Sequence, residues 1–174
     1  MSRPTVSPTG HERTFADTSV IVSKTDARGI ITYANQAFLD IAGYDLREVI
    51  GQPHNFIRHP GMPRCVFKLL WDRIAAGHEV FAYVVNLAKR GDHYWVFAHV
   101  TPTFDMSGAV VGYHSNRRVP RRDAISAVEP IYRLLLDRER ENSSPKQALE
   151  AATAVLNGFL KSKDTDYDRF VLGV

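Results

Sequence analysis

A change of pattern that decides the fold occurs in the stretch Gly29-Ile-Ile-Thr-Tyr-Ala-Asn-Gln-Ala-Phe-Leu-Asp-Ile-Ala-Gly-Tyr44. Its β-branched start follows the turn former Asp26, which predicts a hairpin between residues 18–23 and residues 29–33. From Asn35 the apolar residues recur at helical spacing, and Gly43 is placed to end the helix in the left-handed conformation. The stretch therefore predicts two strands followed by a short helix.

The region beyond this helix contains a loop, a longer helix and three more strands. Residues 44–63 are interrupted by glycines and prolines and predict a structured loop. Residues 63–76 have apolar side chains three and four positions apart, which indicates a helix that stops at Gly77. Three strand-like runs joined by hairpin turns follow at 79–88, 93–104 and 109–116. This order predicts an α+β domain whose sheet packs its helices on one face, with a cavity between them.

The C-terminal part changes to helical periodicity. An apolar stripe runs from about residue 122 to 141, with Pro130 as an expected kink. Ser144 before Pro145 is typical of a helix start, and apolar residues follow on one face. Because this stripe lies outside a complete sheet domain, it must be buried on that domain or on another chain. A homodimer or a signalling partner is therefore expected.

Composition narrows the class of protein. The chain has 174 residues, 22 Lys and Arg, 19 Asp and Glu, and 44% hydrophobic residues, which is typical of one soluble domain with a helical appendage. The basic excess is small and concentrated in Arg117, Arg118, Arg121 and Arg122 rather than repeated along the chain, so a nucleic-acid partner is not expected. Cys65 is the single cysteine, which excludes an internal disulfide. No apolar run is long enough for a membrane span or a secretion signal, and we expect a cytoplasmic protein.

Residues 52–60 form the densest polar cluster. The sequence has no nucleophile motif and no HExxH zinc motif, so we do not expect an enzyme or a metal site. Arg58 offers a planar fork for a phosphate, with His59 as a second donor beside an apolar cavity. The alternative is that both side chains only tie the loop backbone together.

Aromatic residues are concentrated near the expected cavity, and most such residues are simply core. The set comprises Phe56, Phe67, Trp71, Phe81, Tyr94, Trp95 and Phe97. Trp71 lies on the helix that faces the sheet, and Asn86 lies inside an apolar strand, where its amide needs a partner. A planar heteroaromatic ligand would contact both. Asn35 is a further candidate for such a ligand, although it is also placed to cap the helix that follows it.

Haem is an alternative ligand. A haem pocket in this fold needs an inward-facing histidine near the helix at 63–76. That helix contains none; His54 and His59 precede it and His78 follows it. Haem therefore remains a second possibility.

The motifs together resemble a PAS domain over residues 17–118. They are Gly29 to Asn35, Phe38, Gly43-Tyr44, Glu48, Gly51 and Gly91 to Trp95. The resemblance is closer to the flavin-binding PAS domain of bacterial aerotaxis receptors. It extends over residues 51–55, Arg58-His59-Pro60, Met62-Pro63, Trp71, Asn86, residues 91–96 and residues 127–132. It implies a five-stranded antiparallel sheet with a ligand pocket, FAD as cofactor, and a redox signal passed to a chemoreceptor signalling domain.

The resemblance implies that Arg58, His59, Trp71 and Asn86 bind the cofactor, and Asn35 and Trp95 complete the set of candidate cofactor-binding residues. Together with the patterns above, it divides the chain into a flexible segment at 1–16, a sensor at 17–118, and a helical signalling or dimerisation segment at 119–174. Gly61 and Val80 stand where the family tends to have an acidic residue and a tryptophan. This difference favours a second hypothesis, a cofactor-free PAS module that works by dimerisation and docking.

Overall fold

The computed structural model describes residues 6–174 and is built on one five-stranded antiparallel sheet. The strands are β1 (Ile21–Asp26), β2 (Ile31–Ala34), β3 (Val80–Leu87), β4 (His93–Phe104) and β5 (Val110–Arg118). Their spatial order is β2-β1-β5-β4-β3. The first strand therefore pairs with the last, which brings both ends of the sheet sequence together at the centre. The expected α+β fold is confirmed.

Three helices between β2 and β3 cover one face of the sheet. They are α1 (Gln36–Ala42), α2 (Leu46–Val49) and α3 (Arg64–Ala75), with a 3₁₀ turn at His54–Ile57. Asn35 caps α1 by accepting from the Phe38 N–H, and Gly43 ends it at φ 73°, as the sequence predicted. The two short elements inside the expected loop, α2 and the 3₁₀ turn, were not predicted. The buried apolar face of α3 packs against the sheet and closes the core.

The C-terminal helices pack against the edge strand β3 and against α3. They are α4 (Arg122–Arg140), which continues through Pro130, α5 (Pro145–Ser162) and α6 (Tyr167–Gly173). The Tyr132 hydroxyl donates to the Tyr83 carbonyl oxygen at 2.6 Å. Arg73 of α3 pairs with Asp168 of α6. The helices thus cover an edge that would otherwise be open to pairing with another chain.

The residues before β1 contact the sheet domain. The Thr9 N–H donates to the Gly91 carbonyl at 2.9 Å, and the Arg13 N–H donates to the His93 carbonyl at 2.8 Å. Glu12 forms an ion pair with Arg122 at 2.8 Å, which connects this segment to α4. Residues 1–5 of the expected flexible segment lie outside the described residues. The flexibility of residues 1–16 and the domain boundaries stay predictions.

The length and hydropathy of the helices bear on whether any of them could cross a membrane. Within residues 6–174, none of them combines the length and the apolar character that a membrane crossing needs.

The Tyr132 hydrogen bond gives a test of how firmly α4 is attached. Tyr132→Phe removes the donor and leaves the buried Tyr83 carbonyl without this partner, so we expect the free energy of unfolding to fall by about 1 to 2 kcal/mol. Urea unfolding followed by tryptophan fluorescence measures it. Tyr33→Phe, at a half-exposed tyrosine, is the matched control and should change little. Equal effects of the two variants would contradict a stabilising role for the hydrogen bond.

Candidate functional site

A cavity lies between α3 and the inner face of the sheet. Its volume is about 70 Å³, which is small compared with the roughly 300 to 1,000 Å³ of typical ligand pockets. The lining is mainly apolar, with several polar side chains on the sheet side. The lining residues are Ser23, Thr25, His54, Asn55, Arg58, Phe67, Leu70, Trp71, Ile74, Val84, Asn86, Ala98, Val100, Tyr113, Ser115 and Arg117.

The register of the central strands explains why polar groups meet there. Alternate residues of β5 face the cavity, namely Tyr113, Ser115 and Arg117. Across the β1–β5 pair, Thr25 lies opposite Tyr113 and Ser23 lies opposite Ser115. The polar groups therefore come from neighbouring positions on one face of the sheet.

Arg117 is the dominant charge of the cavity. Its side chain is only 4% exposed and forms no ion pair with a carboxylate among the described residues. Its Nη2 donates to Ser23 Oγ at 3.0 Å and lies 2.6 Å from His54 Nε2. Burial lowers the pKa of Arg117 to about 10, so it stays charged at neutral pH. Burial and the nearby Arg117 hold the pKa of His54 well below its usual value, so its Nε2 accepts the hydrogen bond.

Four residues of the cavity lining carry buried polar atoms without a hydrogen-bond partner in the described part of the chain. These atoms are Thr25 Oγ1, Asn86 Nδ2, Ser115 Oγ and Arg117 Nη1. Leaving a buried polar group unpaired costs about 1 to 3 kcal/mol, and more for a charged one. Several such atoms around one cavity indicate that it is suited to a ligand with hydrogen-bonding edges.

Three of the residues proposed from the sequence line this cavity: Arg58, Trp71 and Asn86. Arg58 lies over the Phe67 ring, 4.5 Å from its centroid, and its Nη2 donates to the Met62 carbonyl at 2.8 Å. Its backbone also bridges to that of Asn86 in β3. The loop and the edge strand are thus joined beside the cavity.

The other three proposed residues do not line it. Asn35 caps α1 and also accepts from the Val22 N–H at 3.0 Å, which makes it a structural residue at the β1–α1 junction. The His59 Nδ1 accepts from the Gly61 N–H at 2.9 Å, and its ring faces His93. Trp95 lies opposite Val85, one position out of phase with Asn86, so it faces away from the cavity and packs near Tyr132.

Gly29 allows Trp71 to close the cavity. The glycine has φ 79°, and a Cβ there would lie 2.7 Å from the indole of Trp71. The indole packs edge-on against Tyr113 with the ring centroids 5.4 Å apart. Because the cavity is only about 70 Å³, a planar ring system needs lining side chains to move before it can bind.

The sequence analysis missed Arg117, Ser115 and Thr25 as members of this site and considered His54 only in relation to haem. Arg117 was counted only as part of the basic excess, because three more arginines follow it within five residues. The signal that would have found it is the period-two pattern of β5, which puts Arg117 on the same face as Tyr113.

The lining can be compared with the chemistry of the expected cofactors. A flavin ring has carbonyl and ring-nitrogen acceptors on one edge, and the unpartnered Asn86 Nδ2 and Arg117 Nη1 are donors of the matching kind. The apolar side chains of α3 suit the faces of the ring. For haem, the one histidine in the lining is His54, whose Nε2 is already bonded to Arg117. Within residues 6–174 no cluster of three or more His, Cys, Asp or Glu side chains could hold a metal ion.

Comparison with known proteins agrees with a sensory fold. A family model described as "PAS fold" matches residues 31–117. The chain is 41% identical over 121 residues to the aerotaxis receptor of Escherichia coli (strain K12), covering 70% of this chain and 24% of the receptor. It is 31% identical over 100 residues to the nitrogen fixation regulatory protein of Klebsiella pneumoniae, covering 58% of this chain and 20% of that protein. The chain thus spans about a quarter or less of the length of these relatives.

Solved structures support the same architecture. The dark state of the blue-light photoreceptor Aureochrome1 LOV matches with a TM-score of 0.57 at 24% identity, covering 66% of this chain and 85% of that one. A light-oxygen-voltage domain studied with a flavin analogue matches with a TM-score of 0.56 at 24% identity, covering 71% and 87%. The fold and the family match define a sensory α+β module. The chain belongs to the PAS fold family and is related to aerotaxis receptors, as the sequence motifs indicated.

The neutral state of His54 predicts a pH dependence of stability. Because its folded pKa lies below the unfolded value of about 6.5, its contribution is complete above pH 6.5 and is lost as the pH falls towards the folded pKa. We expect the loss to reach about 1 kcal/mol between pH 7.5 and 5.5. His59, whose pKa burial lowers to about 4, adds a smaller loss of the same sign because it is half-buried.

Urea unfolding at pH 7.5, 6.5 and 5.5 measures this dependence. His54→Gln should flatten it, while His78→Gln, at an exposed histidine, should leave it unchanged. If His54→Gln kept the full loss on acidification, His54 would not be the group responsible.

Proposed function

We propose that this chain is a redox sensor that binds FAD in the cavity and reports the redox or oxygen status of the cell to a chemotaxis-type signalling partner. The role is non-catalytic, and a homodimer is the expected form. Supporting observations are the relationship to aerotaxis receptors and the chemistry of the lining. The central observation is that Arg117 is buried with no carboxylate partner among residues 6–174. It lies beside three other residues with unpartnered polar atoms, Thr25, Asn86 and Ser115.

The charge of Arg117 gives the cavity a preference for electron-rich ligands. A buried cation without a counter-ion carries a desolvation penalty of several kcal/mol, which a ligand acceptor at Nη1 would offset. When bound, a flavin supplies reversible electron uptake coupled to a proton. A fixed guanidinium beside the ring would favour the form that has gained negative charge.

Asn86 is the residue best placed to pass on a change in the ligand. Its amide can present either a donor or an acceptor, so a proton gained at the ring edge reverses which end of the amide is favoured. Asn86 lies on β3, three residues from Tyr83, whose carbonyl oxygen accepts from Tyr132 of α4. Rotation of the amide would thus act on the strand against which the C-terminal helices pack.

The narrow cavity supports one alternative, a PAS module that works without a cofactor. At about 70 Å³ the space is filled by a few water molecules, and the C-terminal helices would then carry the function by docking. The absorption spectrum of the purified protein, before and after dithionite, separates the two. A flavin spectrum that bleaches supports the sensor, a haem band supports gas sensing, and a colourless protein that rejects added FAD supports the docking module.

Asn86→Ala provides the residue-level test. Removing the amide should lower FAD affinity about tenfold, since one hydrogen bond in a buried site is worth on the order of 1.4 kcal/mol. Isothermal titration of each variant with FAD measures the loss. Asn116→Ala is the matched control, because Asn116 is outside the cavity lining on β5. Unchanged FAD affinity in Asn86→Ala would remove this residue from the site.

A further inference from the structure

A second cleft lies next to the cavity, between the loop at residues 58–64 and the turn that joins α4 to α5. Its volume is about 360 Å³, and its lining is largely polar. The lining residues are Arg58, Pro60, Met62, Arg64, Leu136, Glu139, Arg140, Asn142, Ser143, Pro145 and Ala148. Arg58 lines both the cleft and the cavity, so its side chain borders both spaces.

The cleft carries excess positive charge. Its charged side chains are Arg58, Arg64 and Arg140 against Glu139, a formal balance of +2. Arg140 is paired with Asp137 at 3.2 Å, but both side chains are largely exposed, so this pair is weak and Arg140 can turn into the cleft. Asn142 and Ser143 add neutral hydrogen-bonding groups from the α4–α5 turn.

An anionic group already occupies one wall of the cleft. Glu139 of α4 accepts through Oε1 from the Arg64 N–H at 2.6 Å and the Cys65 N–H at 3.1 Å, the first two residues of α3. The residue before α3 is Pro63, whose side chain makes no cap hydrogen bond. The carboxylate of Glu139, 75 positions along the chain from Arg64, caps the helix instead. The electrostatics of the cleft thus favour anions, and its one carboxylate comes from the C-terminal segment.

We propose that this cleft holds the phosphate-bearing half of the dinucleotide, so that the C-terminal helices form one wall of the cofactor site and select FAD over FMN and riboflavin. The inference rests on the proposed function. Arg64 and Arg140 attract the phosphates, and Glu139 opposes them. Loading of the cofactor therefore depends on where the α4–α5 turn lies.

Two substitutions with opposite signs test this assignment. Arg140→Gln removes a cleft cation and should weaken FAD binding about fivefold. Glu139→Gln removes the opposing charge but keeps a carbonyl oxygen for the α3 N–H groups, and should tighten FAD binding by about the same factor. Neither should change riboflavin affinity, because riboflavin carries no phosphate. Arg138→Gln, on the same helix but outside the cleft, is the matched control.

The measurement is isothermal titration of the full chain with riboflavin, FMN and FAD at one ionic strength. The expected result is tighter binding of FAD than of FMN by the unmodified chain, with opposite shifts of FAD affinity in the two variants and an unchanged riboflavin affinity. Equal shifts for all three ligands, or no shift in either variant, would overturn the cleft assignment while flavin binding by the unmodified chain left the proposed function standing. If the unmodified chain bound none of the three, both proposals would fall together.

Discussion

The guanidinium of Arg117, buried at the centre of the sheet, constrains everything around it. It lies on β5 directly between Ile21 of β1 and Ala98 of β4, where a core position would ordinarily hold an aliphatic side chain. Ser23 and His54 accept from one of its nitrogens, and the ring of Phe38 lies 5.7 Å from its centre. Burial and the charge of Arg117 lower the pKa of His54, and the hydrogen bond connects Arg117 to the 3₁₀ turn that contains this histidine. The contacting groups do not neutralise the charge, since all are uncharged. The buried charge therefore costs stability, and the proposed ligand would offset part of that cost.

The edge strand β3 connects this centre to the C-terminal helices. Val84 and Asn86 face the cavity, while Tyr83 and Val85 face the other side, where Tyr132 and α6 pack. β3 has continuous strand pairing with β4 on one side, whereas the Arg58 bridge and the Tyr132 hydroxyl each hold it at a single point, so it deforms more readily than a central strand. Asn86, the proposed sensor of the ligand, and Tyr83, which accepts from Tyr132 of α4, thus lie three residues apart on β3. A change in the hydrogen bonds of Asn86 would therefore have only a short path along β3 to α4.

Local patterns were sufficient to predict the fold because residues that start or stop an element flank the helices in the sequence. Asn35 and Gly43 bound α1, and Gly77 follows α3, so the strand and helix order could be inferred without tertiary information. The site was harder to predict, because its polar groups are assembled by strand pairing between residues 94 positions apart, such as Ser23 and Arg117. Trp95 shows the same limit. Its aromatic character suggested the cavity, yet the register of β4 against β3 turns it to the opposite face. Chemical type is visible in a sequence, whereas the face on which a residue lies depends on register.

In the proposed complex, the cavity and the cleft would divide the recognition of one ligand between two kinds of chemistry. In the cavity, position matters most: few polar atoms, each buried, can distinguish one ring edge or protonation state from another. In the cleft, charges are exposed and act mainly on affinity, so they are screened by salt and tolerant of geometry. Only Arg58 belongs to both. A change of redox state would therefore be felt on β3, while loading would be felt at the α4–α5 turn. β3 contacts α4 through Tyr132 near the middle of the helix, and the cleft is lined by Glu139 near its end, so in the proposed complex this helix would respond to both cofactor occupancy and cofactor state.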